Sequence, residues 1–213
     1  MSDVSNPWVS RPTMADDPHQ AVMPPRATVP PATGPMAPQR DVRAPDHVDQ
    51  LPVRMQARTA ELWWVGCHGG AGESTLGHLV ADWRPTGGAW PLMAEEGPSP
   101  RVVLVARSHA GGLRAAQTAA TQWAAGLVPH VELLGLVIVA DAPGRLPRPL
   151  RDLAQLVAGG VPRTWTVPWV EEWRLGHEVS LPEAPRQVRQ LVTDLTALIR
   201  GGAPSGAANR KED

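Results

Sequence analysis

A glycine-rich turn followed by two hydroxyl residues is the first place in this 213-residue sequence where the residue types could do chemistry. The stretch WWVGCHGGAGESTL, residues 63–76, runs from bulky apolar residues through glycines into the start of a helix. Gly69, Gly70 and Gly72 would let backbone N–H groups turn inward around an anion such as phosphate. Ser74 could bind Mg²⁺ beside that anion. The turn therefore predicts a phosphate site.

A glutamate stands where such a loop normally carries a lysine. The carboxylate of Glu73 would repel terminal phosphates by several kcal/mol at an effective dielectric constant of about 20. The predicted folded region offers no other lysine, since the only one in the chain is Lys211. An arginine that follows a strand, namely Arg107, Arg145 or Arg148, could instead reach the loop.

Two other interpretations of the loop remain. Glu73 falls in the first turn of the predicted helix, where a carboxylate is favoured by the helix dipole and by free N–H groups. It could therefore cap its own helix and take the place of the phosphate, leaving a loop that needs no ligand. The third interpretation is a coincidental glycine turn.

Alternating strand and helix patterns predict the elements that must position this loop. Four apolar strands separated by helices are typical of βαβ units, so we predict an α/β fold with a parallel sheet and helices on both faces. The predicted strands are 61–67, 101–107, 133–140 and 163–167, and the predicted helices are 74–83, 111–126, 147–160 and 184–200, with a long loop over 84–100.

Composition divides the chain into three parts. Residues 1–57 contain 11 prolines without apolar periodicity, which predicts a disordered Pro-rich tail. Residues 58–201 form the predicted α/β domain, and residues 202–213 form a second predicted disordered tail. The chain has no basic, apolar leader at its start and no apolar run of about 18 residues. We therefore expect a cytoplasmic protein without a membrane span.

Charge and cysteine content limit the classes of function. The formal net charge is −1, which argues against a broad nucleic-acid footprint. The single cysteine, Cys67, excludes an internal disulfide and a cysteine-based zinc site. Neither Cys67 nor His68 has a second ligand or base at a suitable spacing, so we predict local structural roles and no metal site. Asp141 ends a strand and could equally bind magnesium or form a turn.

Three tryptophans spaced by four follow the third helix. Pro168 lies between Trp165 and Trp169, so one continuous helix through Trp173 is not expected. Packing over the edge of the sheet is the favoured interpretation, with Trp169 as a stacking platform or the cluster as an interface anchor as alternatives.

The glycine loop resembles that of the MinD/ParA family of P-loop ATPases, which reads K-G-G-x-G-K-[ST]-[ST]. Residues 68–75 match at every glycine and at both hydroxyls, Ser74 and Thr75, but not at either lysine. The stretches HGGAGES and ADAPGRLP also resemble an uncharacterised actinobacterial family. The loop resemblance implies a reduced P-loop NTPase-like fold.

Three further stretches resemble motifs of the ATPase family. RVVLVARSHAGGL resembles the second motif, with Ala106 and Ser108 at its two aspartates. VIVADAPG resembles the Walker B stretch, with Asp141 at its aspartate, and WTVPW resembles the strand beside the nucleotide base. A second register is open, in which 101–107 and 133–140 match later strands of the family.

Hydrolysis in that family depends on a lysine, a metal ion and a placed water. The resemblance therefore implies a pseudo-ATPase without catalytic residues or a required cofactor, acting as an interaction or regulatory module with a protein partner. The alternative is an ATPase that holds ATP and Mg²⁺ through an arginine-assisted loop, with Ser74 and Asp141 as metal ligands. A homodimer is compatible with either function. The candidate nucleotide or anion site consists of Gly69, Gly70, Gly72, Glu73, Ser74, Thr75, Arg107 and Asp141.

Overall fold

A five-stranded parallel sheet is the centre of the protein, whose computed structural model describes residues 31–95 and 97–201. A separate pair of parallel strands lies beside it. The strands are β1 (Val53–Gln56), β2 (Leu62–Gly66), β3 (Trp83–Pro85), β4 (Trp90–Met93), β5 (Arg101–Arg107), β6 (Glu132–Val139) and β7 (Thr164–Val167). The helices are α1 (Glu73–Gly77), α2 (Ala110–Ala124), α3 (Arg148–Ala158), α4 (Glu171–Arg174) and α5 (Arg186–Gly201), preceded by a 3-10 turn at His47–Asp49.

Helices cover both faces of the sheet, because the side chains of each strand alternate between two apolar cores. One core joins the sheet to α2 and α3, with Leu104 and Trp123 among its buried residues. The other core joins the sheet to α1 and α5, with Trp64 and Leu191 among its buried residues. The predicted α/β class, with a parallel sheet between helical layers, is confirmed.

Strand order places a topological switch at the centre of the sheet. The order is β3-β2-β5-β6-β7, so the chain leaves β2 in one direction and returns to the opposite side of β2 as β5. In open parallel sheets the crevice at such a switch, outside the carboxyl ends of the strands, is where ligands bind. Here that crevice lies between the glycine loop after β2 and Arg107 at the end of β5.

The predicted helix 74–83 is too long, and the loop predicted over 84–100 contains strand residues. The helix ends at Gly77, and Trp83 begins an edge strand that pairs with Leu62. A Cβ added at Gly77 would lie 2.9 Å from Cδ of Pro85, so the glycine allows the chain to return closely past the helix. Burial of Trp83 against Trp64, with ring centroids 5.8 Å apart, favours the strand over a longer helix.

The predicted disordered tail extends too far along the chain. Its last residues form β1, which pairs in parallel with β4 from the predicted loop. The side chain of Gln122 on α2 also accepts a hydrogen bond from the N–H of Leu51 at 3.0 Å and donates to its C=O at 3.0 Å. These long-range contacts order a proline-rich segment that has no apolar periodicity of its own.

The remaining parts of the predicted tails, residues 1–30 and 202–213, lie outside the described residues. Within 31–95 and 97–201, none of the helices combines the length and the apolar character needed to cross a bilayer.

Candidate functional site

The glycine loop connects the end of β2 to the start of α1, as the sequence predicts. Gly70 and Gly72 have φ values of 75° and 105°, in the left-handed region that residues with a Cβ rarely adopt. A Cβ added at Gly69 or Gly70 would meet no atom within 4 Å, so this side of the loop faces open space. The two glycines at positive φ therefore produce the tight turn, and the loop is accessible from outside.

The carboxylate of Glu73 contacts the strand rather than its own helix. Its Oε2 accepts a hydrogen bond from the backbone N–H of Gly66 at 2.8 Å. The predicted capping of α1 by Glu73 is therefore wrong in its partner: the helix begins after Gly72, without a side-chain cap. The side chain is folded back toward β2, and a Cβ added at Gly66 would lie 2.9 Å from its Cδ.

The end of strand β3 explains why Gly66 needs this partner. The Thr86 N–H donates to the Trp64 C=O at 3.0 Å, which makes the Gly66 N–H the next donor facing that side of β2. The chain instead turns away through Gly87 and Gly88, both at positive φ. Because a buried N–H without a partner is costly, the carboxylate of Glu73 replaces the missing strand carbonyl.

Arg107 reaches the glycine loop, as one of the sequence interpretations requires. Its Nε donates to the Gly70 C=O at 3.3 Å, and its Nη1 donates to the Ala140 C=O at 2.8 Å. Partial burial lowers the pKa of Arg107, the nearby Asp141 carboxylate opposes this shift, and the nearby Arg174 guanidinium adds to it. The guanidinium thus joins the loop to the end of β6.

Two histidines, His68 and His109, make local structural contacts in the same region. The Nε2 of His68 accepts the backbone N–H of Arg107 at 3.0 Å, so its Nδ1 carries the proton and donates to the Gly69 C=O at 2.9 Å. The ring of His109 lies against that of His68, with centroids 5.1 Å apart, and its Nδ1 accepts the N–H of Gly112 at the start of α2. His68 therefore has a local structural contact, consistent with the sequence prediction.

Cys67 is buried within the same loop and is unsuited to nucleophilic chemistry. Burial raises the pKa of its thiol to about 12, with a smaller contribution in the same direction from the charge of Glu73. Because the thiolate is the reactive form of cysteine, the buried thiol is unreactive at neutral pH. This agrees with the structural role predicted for it.

An open cavity of about 530 Å³ lies over the glycine loop and is called the glycine-loop cavity below. It brings together Glu73, the exposed Ser74, the half-buried Thr75 and the guanidinium of Arg107. It also includes Arg174 from α4, which the sequence analysis missed because no motif links this residue to a loop about a hundred positions earlier. Its lining consists of Leu51, Gly66, residues 68–75, Gly87, Gly88, Arg107 and Arg174.

The structure does not bring Asp141 into this cavity. Its backbone N–H donates to Oγ of the buried Ser108 at 3.0 Å, and its side chain lines a neighbouring cleft. Of the other arginines considered from the sequence, Arg145 lines that same cleft. The Nε of Arg148 lies 3.8 Å from Oδ2 of Asp152, and both residues belong to α3. Within the described residues, no group of three or more His, Cys, Asp or Glu side chains is arranged to hold a metal ion.

The tryptophan cluster is divided by Pro168, as predicted. Trp165 is buried in β7 and donates its indole N–H to Oδ2 of Asp194 at 3.0 Å. Trp169 and Trp173 instead border a narrow gap beside Gly72 and Arg107. One tryptophan thus packs in the core, while the other two lie next to the glycine loop.

Fold and site together define a parallel α/β domain with a glycine-rich strand-to-helix loop at its topological switch point. The chain belongs to DUF6668, a family of unknown function, whose profile matches residues 60–192. No curated protein and no solved structure shows significant similarity to the chain. The family match begins just before β2 and ends within α5, so it includes the whole five-stranded sheet.

Proposed function

We propose that this protein is a non-catalytic interaction or regulatory module with a degenerate, MinD/ParA-like phosphate loop. The observation that carries this proposal is the 2.8 Å hydrogen bond from the Gly66 N–H to Oε2 of Glu73. The carboxylate stands at the position of the usual lysine and serves as a structural acceptor. A loop held in this way presents an acidic side chain where an ATPase needs a positive charge.

Arg107, the cation nearest the loop, is also engaged in internal contacts. The side chain of Arg107 donates to two backbone carbonyls, and its backbone N–H is held by His68. Asp141, which the resemblance aligns with the Walker B aspartate, lines a different cleft. Because lysine, metal ion and placed water act together in phosphoryl transfer, the replacement of the lysine by Glu73 and the position of Asp141 argue against hydrolysis.

A protein partner is the expected ligand of such a module, engaged through the Pro-rich arm or the tryptophan-bearing edge. The described part of that edge includes Trp169 and Trp173, both half-buried, and Leu175, which is 65% exposed. Aromatic and aliphatic side chains of this kind are common anchors of protein interfaces. A second copy of the chain is compatible with the same surface, whereas the net charge of −1 disfavours nucleic acid.

Calorimetric titration of the full chain with Mg²⁺–ATP and Mg²⁺–ADP tests this proposal. We expect no binding heat and no thermal shift at millimolar nucleotide. We also expect no ATP hydrolysis above that of the Arg107→Gln variant. Micromolar binding that requires Arg107 would overturn the non-catalytic assignment.

A second candidate function is an anion or nucleotide site that uses arginines in place of lysine. It is favoured by one observation: Arg107 and Arg174 line the same cavity as the glycine loop, at the switch point of the sheet. The side chain of Arg174 makes no hydrogen bond or ion pair with another described residue. An anion between the two guanidiniums would relieve their mutual repulsion.

Variants of the two arginines distinguish this candidate from the first. If the cavity binds phosphate groups, Arg174→Gln should weaken nucleotide binding by about tenfold or more, as expected for loss of a charge-assisted hydrogen bond. Arg114→Gln, on the exposed face of α2, is the matched control and should leave binding unchanged. Equal binding by both variants would exclude the arginine-assisted site.

A further inference from the structure

A second cleft opens at the carboxyl ends of β6 and β7, separate from the glycine-loop cavity. Its volume of about 340 Å³ falls in the range of small-molecule sites. No residue lines both this cleft and the glycine-loop cavity. The apolar part of the lining includes Ile138 from the end of β6, Leu146 from the segment that leads into α3, and Leu150 from α3 itself. The cleft therefore has an apolar surface at the edge of the sheet where ligands of parallel α/β folds bind.

One loop of this cleft carries an acidic and a basic side chain, Asp141 and Arg145, which form no ion pair with each other. Asp141 and Arg145 both line it and are both exposed. Neither side chain makes a hydrogen bond or an ion pair with another described residue, so they are not paired with each other. The turn between them contains Pro143 and Gly144, the latter at φ 92°, which limits the conformations of the loop. The two charges therefore lie on one loop beside an apolar surface without an ion pair between them.

His109 and Thr166 are two further polar residues of the lining. His109 accepts the Gly112 N–H at Nδ1, so the proton of its neutral ring is on Nε2, a second potential donor to a ligand. Thr166, on β7, contributes an exposed hydroxyl. Donors and an acceptor therefore surround an apolar surface, the usual composition of a small-molecule site.

We propose that this cleft binds a small zwitterion, an α-amino acid with an aliphatic side chain. Its carboxylate would pair with the guanidinium of Arg145, its ammonium group with the carboxylate of Asp141, and its side chain would cover Leu146. A ligand with only one charge can pair with just one of these two side chains, whereas a zwitterion engages both. This site goes beyond the proposed function, because it shares no residue with the glycine loop.

Calorimetric titration of the full chain with L-leucine tests the proposal directly. We expect saturable binding with a dissociation constant below about 1 mM. Leucinamide, which lacks the carboxylate, and 4-methylpentanoate, which lacks the ammonium group, should each bind at least about tenfold more weakly. Absence of saturable binding of L-leucine at 20-fold that concentration, roughly 20 mM, would overturn the proposal.

Two charge-removing variants locate the binding. Arg145→Gln should weaken binding of L-leucine and leave that of leucinamide unchanged, whereas Asp141→Asn should weaken L-leucine and leave 4-methylpentanoate unchanged. Arg151→Gln, exposed on α3 and outside the lining, is the matched control and should bind L-leucine like the parent chain. Binding that neither cleft variant alters would overturn the assignment, and circular dichroism of each variant confirms that it is folded. Failure of this test would not affect the nucleotide titrations that test the proposed function.

Discussion

The backbone N–H of Arg107 donates to Nε2 of His68 at 3.0 Å, which ties the glycine loop to the end of the neighbouring strand. Gly112, at the start of α2, packs directly against both residues of this contact. A Cβ at Gly112 would lie 2.4 Å from the Arg107 carbonyl oxygen and 2.8 Å from Nε2 of His68. Helix α2 therefore packs against the His68–Arg107 pair through a position where only glycine fits.

Replacement of Gly112 by alanine tests this close packing. Alanine normally stabilises a helix relative to glycine by up to about 1 kcal/mol, but overpacking costs about 1–3 kcal/mol. We expect Gly112→Ala to lower the free energy of unfolding and Gly111→Ala, whose Cβ would meet His109 at an ordinary 3.4 Å, to raise it slightly. Urea unfolding followed by tryptophan fluorescence measures both changes. Equal stabilisation by the two substitutions would show that α2 does not press on the His68–Arg107 contact.

Glu73 is expected to stabilise the fold through Gly66. Glu73→Ala leaves the buried Gly66 N–H without its acceptor, which should lower the free energy of unfolding by about 1–3 kcal/mol. Glu73→Gln keeps an acceptor oxygen and should cost less. The control is Glu172→Ala, at an exposed residue of α4. A loss for Glu73→Ala no larger than that of the control would contradict the structural role of this carboxylate.

Gln122 is expected to hold the N-terminal segment and β4 against the domain. Its Oε1 accepts from the Trp90 indole N–H at 2.9 Å and from the Leu51 N–H at 3.0 Å. Gln122→Ala leaves these groups without partners and should destabilise the protein by about 2–4 kcal/mol. The segment around Arg54 and Arg58 should also become more sensitive to trypsin.

Gln117→Ala is the matched control for that experiment, because Gln117 is exposed on the same helix. If trypsin cleaves the two variants at the same rate, Gln122 does not anchor the segment.

Cys67 should make the stability of the protein fall at alkaline pH. Its pKa is raised from 9.0 to about 12 in the folded state, so above pH 9 the unfolded chain ionises while the folded chain keeps its proton. The stabilisation is fully present below pH 9 and is lost as the pH rises toward 12. Urea unfolding across this range should show a steeper decline for the parent chain than for Cys67→Ala. A thiol reagent at pH 8 should label Cys67 only in the presence of denaturant, and rapid labelling of the native chain would contradict its burial.

The local signals in the sequence were sufficient for the main elements of the sheet. The continuous apolar run at 101–107 is β5 to the residue, because a strand buried on both faces needs no polar alternation. The glycine turn at 69–72 lies where it was predicted, since positive φ at Gly70 and Gly72 is a requirement of the local backbone. Pro168 likewise separates β7 from α4, because proline cannot continue either element.

Contacts between distant segments decided what local patterns could not. Strand β3 and the order of residues 47–56 depend on partners elsewhere in the chain, such as Trp64 and Gln122. The partner of Glu73 was also decided by tertiary structure, because the Gly66 N–H became available only where β3 ends. The tertiary structure also places Arg174 at the glycine-loop cavity and Asp141 at the separate cleft beside β6 and β7. The sequence alone determined β2, β5, β6 and β7, the glycine turn and the presence of Glu73 in that turn, since these depend on residue type and local backbone conformation. Only the tertiary structure decided which side chains share a site, since hydrogen bonds and cavities form between residues far apart in the chain.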